Sequence, residues 1–72
     1  MRIDYDPEAD AIYIQLREGE IDNTVEAGKN VVVDVDAEGI PLGLELLFAG
    51  GTLSEDNMAS VTVNIVRSAQ PA

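Results

Sequence analysis

The chain has 72 residues, no cysteine or histidine, and a net charge of −10 from fourteen acids against Arg2, Arg17, Lys29 and Arg67. Without Cys or His it can form no disulfide and no thiolate or imidazole metal site, and it lacks the commonest general base. Its charge excludes a basic stripe for nucleic acid or an anionic membrane, and its 46 % hydrophobic content is too high for a disordered acidic tail.

In chain order, residues 2–5 alternate, with Ile3 and Tyr5 on one face and Arg2 and Asp4 on the other. Residues 11–17 alternate again, Ile12, Ile14 and Leu16 against Ala11, Tyr13, Gln15 and Arg17. Between them, Asp6 can accept from N–H groups two residues on and Pro7 presets φ for a type I turn, so 2–17 reads as a hairpin. Residues 18–29 are polar, with a weak third strand near 22–27, at an edge and ended by Gly28. "NVVVDVD" is a clear strand, with Val31, Val33 and Val35 on one face and Val32 on the other. "AEGIP" is a turn, and "LGLELLF" puts Leu42, Leu44 and Leu46 on one face while Leu47 breaks the alternation.

Gly50-Gly51 ends this run. "TLSE" matches a capping box, Thr52 with Glu55, which predicts a short helix over about 53–59. "SVTVNIV" is rich in β-branched residues, and Val61, Val63 and Ile65 alternate with Thr62 and Asn64. A final strand is favoured there over a continued helix, with a frayed tail from about residue 68.

A shift of thirty residues lays "IDYDPEADAIYIQL" (3–16) over "VDVDAEGIPLGLEL" (33–46) without a gap. Asp4, Asp6, Glu8 and Leu16 meet Asp34, Asp36, Glu38 and Leu46, and the hydrophobic phase is the same in both. The expected fold is therefore a β-rich α+β domain over 1–72. It is a mostly antiparallel sheet of about five or six strands, built from two similar hairpins, plus one short C-terminal helix.

Asp34, Asp36, Glu38, Gly39 and Glu45 fall at positions one, three, five, six and twelve of a calcium-loop pattern. The flanks read as strands where that motif needs helices, Pro41 sits inside the loop, and the same acidic run recurs in the first hairpin. Hairpin-tip chemistry used twice is the simpler reading, and a calcium- or ligand-responsive acidic hairpin is the alternative. Paired acids at strand ends stay solvated and ordinary, no base stands ready for a serine, and no glycine-rich phosphate loop occurs. No enzymatic activity, catalytic residue or cofactor is expected.

The apolar excess is more informative, because "VVV" and "LELLF" place large side chains on both strand faces. Val32, Leu47, Phe48 and Val66 are the candidate interface residues. A homo-oligomer is expected, with a basic protein as the further partner that the charge suits, and neither nucleic acid nor membrane. No apolar run approaches the ~18 residues of a membrane span. The start "MRIDYD" is unlike a signal peptide, so a cytoplasmic location is expected.

The residues Tyr5, Asp6, Glu8, Asp10, Tyr13 and Ile14, followed by Asp36, Gly39, Gly43, Glu45 and Leu47, form a Y-D-x-E-x-D-x-x-Y-I hairpin and a D-x-x-G-x-x-x-G-x-E-x-L segment. In this the chain resembles the YuzE-like family, domain-of-unknown-function family 2283. The resemblance implies a small prokaryotic stand-alone protein with no established activity. It also implies, weakly, an antitoxin-like role beside a small partner.

Overall fold

The computed structural model describes residues 1–51, 53 and 58–67. Five strands form one antiparallel sheet: β1 (Arg2–Asp6), β2 (Ala11–Gln15), β3 (Asn23–Gly28), β4 (Val31–Val35) and β5 (Pro41–Leu47), in the spatial order β1-β2-β5-β4-β3. A 3-10 turn over Ala49–Gly51 follows β5. β1 and β2 make one hairpin and β4 and β5 the other, joined through the pairing of β2 with β5. β3 is the weak edge strand that the sequence predicts, and it lies against β4.

The thirty-residue echo is a structural one. Ile3 stands opposite Ile14 in the first hairpin, and Val33 stands opposite Leu44 in the second. The register is thus the same until the second hairpin slips by one residue between Asp34 and Val35. That slip gives β5 an extra residue, and Leu42 is buried there. The Leu42 carbonyl accepts from the N–H groups of Leu16 (2.8 Å) and Arg17 (3.2 Å). Residues 16–22 then skirt the ends of β5 and β4, and Asp22 N–H donates to the Val35 carbonyl before β3 begins.

Opposed residues of an antiparallel sheet share a face, so the registers divide the side chains into two sets. One face carries the rows Tyr5-Ile12-Leu46-Val31 and Ile3-Ile14-Leu44-Val33-Val25. The other carries Asp4-Tyr13-Glu45-Val32-Glu26 and Arg2-Gln15-Gly43-Asp34-Thr24. The first face is wholly apolar in these rows and the second is mostly polar, the alternation of a sheet with one dry side. Burial is nevertheless shallow. Among the described residues the buried hydrophobic side chains are Ile12, Leu42 and Ala49, while Ile14 is half-buried and Leu16 exposed.

The C-terminal expectations need correction. Residues 60–67 form no strand, although their composition favours one. Alternation and β-branching stabilise a strand only when a neighbour supplies the ladder, and no strand of this sheet pairs with them. The helix expected over 53–59 is not established: Met58 and Ala59 have helical backbone, but residues 54–57 lie outside the described set. The sheet has five strands among the described residues, the lower of the two numbers expected. Among the described residues no helix is long and apolar enough to cross a membrane.

Candidate functional site

The two acidic tips are built alike. Asp6 Oδ1 accepts from the N–H groups of Glu8 (3.0 Å) and Ala9 (3.3 Å). Asp36 Oδ1 accepts from Glu38 N–H and Ile40 N–H, both at 2.9 Å. Each carboxylate folds its own turn, as short acidic side chains do after a strand. In the second tip Gly39 takes a positive φ of 80°, and its N–H donates to the Asp36 carbonyl (2.9 Å). Arg17 reaches across from the end of β2 to Asp36 Oδ2 (2.7 Å), tying the first hairpin to the tip of the second. The Ile40 N–H, seconded by Glu38 N–H and the Arg17 charge, holds the Asp36 carboxyl below the usual carboxylate range despite some desolvation.

Asp10 closes the first tip differently. It sits at φ 51°, a conformation that Asp tolerates better than most residues. Its Oδ1 accepts from Tyr5 Oη (3.1 Å) and Gly50 N–H (2.8 Å), and its carbonyl accepts from Ala49 N–H (2.8 Å). One residue therefore fastens the strand end, the tip and the chain leaving β5. Ala49, held this way, is fully buried.

On the polar face, Tyr13 lies across Gly43. A Cβ added at Gly43 would collide with the Tyr13 hydroxyl and come within 2.8 Å of Cζ. The absence of a side chain lets Tyr13 Oη donate to Asp34 Oδ2 (2.9 Å), while Thr24 Oγ1 donates to Asp34 Oδ1 (2.6 Å). This chain of contacts spans β2, β4 and β3 over the top of β5. The hydrogen bond to Asp34, then desolvation and the Asp34 charge, push the Tyr13 phenol up. Gly43 is the signal that could have disclosed it, since an isolated glycine inside a strand marks a close approach.

The sequence-predicted acids are not brought together as ligands. Asp34 serves Tyr13 and Thr24, Asp36 serves its own loop and Arg17, and Glu45 stands between Tyr13 and Val32 on the polar face. Among the described residues no group of three or more acids is placed to hold a metal ion. Of the interface candidates, Val32 and Leu47 are half-buried neighbours on the polar face, diagonal across the β4 and β5 pair. Phe48, at φ 55°, is 63 % exposed just past β5, and Val66 is 87 % exposed beyond the sheet. The structure therefore groups the first two and leaves Val66 apart.

The apolar face holds a concavity. An apolar cleft of about 390 Å³ lies between Ile3, Tyr5, Ile12 and Ile14 on the sheet and Leu53, Met58 and Val61 of the C-terminal segment. Toward the other edge, Val31, Val33, Leu44 and Leu46 are half-buried and Val25 is exposed. The model of one family, described as a protein of unknown function (DUF2283), matches residues 2–49. The chain belongs to the DUF2283 family. The match begins with β1 and ends at Ala49, so it takes in both hairpins, β3 and the Asp10 fastening, and leaves out the C-terminal segment. No curated protein and no solved structure matches the chain.

Proposed function

We propose that this DUF2283 protein is a non-enzymatic interaction module that self-associates through the apolar face of its sheet. The observation that carries the reading is the continuous apolar face, two cross-strand rows from Ile3 and Tyr5 to Val25 and Val31, with few of its side chains buried. A domain of this length is already marginal in the surface it removes from water. The part of this face still in water, at Ile3, Tyr5 and Val25 and on its half-buried neighbours, would gain roughly 25 cal/mol for each apolar Å² that a second copy covers. The acidic groups support the same reading from the other side, because Asp6, Asp10, Asp34 and Asp36 are occupied with holding turns and strands. The polar face, with Asp4, Glu45 and Glu26 in one row, stays outward in such an assembly and is the surface that suits a basic protein partner.

The test is the mass in solution by light scattering at micromolar concentration, for the parent chain and for Val25→Lys. Val25 lies on the apolar face but is 45 % exposed, so a lysine there leaves the fold intact. A multiple of the chain mass, reduced by Val25→Lys, supports the proposal. A monomeric parent chain refutes it.

A further inference from the structure

We infer that residues 62–66 become a sixth strand by adding to the β1 edge of a second copy, each copy giving its segment to the other. This rests on the self-association proposed above and adds to the apolar-face contact a second one at the sheet edge.

The segment has the composition of a strand and the surroundings of a loose end. "TVNIV" is mostly β-branched and carries no charge in a chain of net charge −10. Val63 is 68 % exposed, Ile65 79 % and Val66 87 %, and none of them is in a strand. A short, uncharged, alternating stretch left in water is a template seeking a ladder.

The sheet supplies one. β1 is outermost in the strand order. Its counterpart under the thirty-residue shift is β4, and β4 carries an antiparallel strand, β3, on the corresponding outer side. An antiparallel strand on β1 would complete the same arrangement at the other end of the sheet. Val63 and Ile65 would then prolong the apolar rows past Ile3, and Thr62, Asn64 and Val66 would join the polar face. Arg67, immediately after, would arrive beside a strand that carries Asp4 and Asp6. β1 carries Arg2, paired with Asp4 at 2.9 Å, beside its two acids, so the added strand brings no acid to this edge and ends on a cation, which favours pairing between two acidic copies.

A second copy is the occupant because of where the segment starts. Val61 lines the cleft above the apolar face of its own sheet, out of the plane in which a strand beside β1 must run. The residues after it are exposed and pair with no strand of their own sheet. Reciprocal addition of this kind closes as a two-fold pair.

The experiment compares the full chain with its Val63→Pro/Ile65→Pro variant, by mass in solution and by amide hydrogen exchange over β1. Both substituted positions are exposed and outside the sheet, and circular dichroism checks that the fold is kept. Expected are a dimer for the parent chain, at least about a tenfold weaker association for the variant, and faster exchange over β1 in the variant. A variant that dimerises equally well, or whose β1 exchange is unchanged, overturns the strand exchange and leaves face-to-face association standing. An open ladder of masses overturns the closed pair. A monomeric parent chain overturns both readings.

Discussion

Ile14 stands directly opposite Leu44, and the two are thirty residues apart. The pairing of β2 with β5 continues symmetrically from that point: Ile12 faces Leu46, and Leu16 N–H reaches the Leu42 carbonyl. The hairpins are therefore related by a local two-fold axis through the Ile14 and Leu44 pair. Ile12 and Leu42 are equivalents under it, 5 % and 3 % exposed. Ile12→Ala and Leu42→Ala should each cost about 2–4 kcal/mol, measured by urea denaturation, whereas Ile3→Ala at the 41 % exposed edge should cost well under half as much. A Leu42→Ala cost as small as that of Ile3→Ala would mean that the slipped residue packs less tightly than its burial indicates.

Tyr13 and Gly43 should behave as one unit. Tyr13→Phe removes the hydrogen bond to Asp34, whose other oxygen keeps Thr24, and should cost about 1–2 kcal/mol. Gly43→Ala forces the ring aside and should cost more, because the Ile14 carbonyl is also 3.0 Å from the new Cβ. The double variant should cost less than the sum of the two single ones, since the displaced ring has already lost its bond. Strict additivity in a double-mutant cycle would count against the contact.

The pH profile should fall at both ends for different reasons. Asp36 has a folded value below its ordinary 3.8, so its contribution is complete above that value and is lost as pH falls through the lower folded one. Asp36→Asn keeps an acceptor for Glu38 and Ile40 but should flatten this acid limb. Tyr13 has a folded value above 10.0, so its contribution is complete below 10.0 and is lost as pH rises through the higher folded one. Tyr13→Phe should remove that alkaline loss. Denaturation midpoints followed across both limbs check the two signs.

Asp10 should matter more than an exposed tip residue ordinarily does. Asp10→Ala removes the acceptor for Tyr5 and Gly50 and puts an alanine at φ 51°, for a cost of about 2–3 kcal/mol. Asp10→Asn keeps an acceptor and should lose less. Asp10→Gly should fall between them, because glycine relieves the backbone while still losing the bonds. Thermal melts of the three variants give the order directly.

The strands were legible because valines and isoleucines alternate through both hairpins, and Asp6 and Asp36 announce their turns by type and position. The weak edge strand was readable from Val25 and Gly28. Tyr13, Asp34 and Thr24 were not readable as a set, since their meeting depends on how β5 slots between β2 and β4. Arg17 finding Asp36 depends on the same insertion. The "SVTVNIV" stretch misled because local preference cannot tell whether a neighbouring strand exists. Ile12 and Leu16 alternate onto one face, yet the first is buried and the second exposed, because alternation marks a face and not its depth.

Tyr13 and Gly43 are themselves thirty residues apart, so the two-fold axis exchanges them. The ring and the gap it occupies are one position counted twice. Two tyrosines would contest a single volume and two glycines would leave it empty, so close packing there forbids a perfect repeat. The sheet is obliged to be lopsided, and that choice decides which hairpin lends its aspartate, Asp34 and not Asp4, to the phenol.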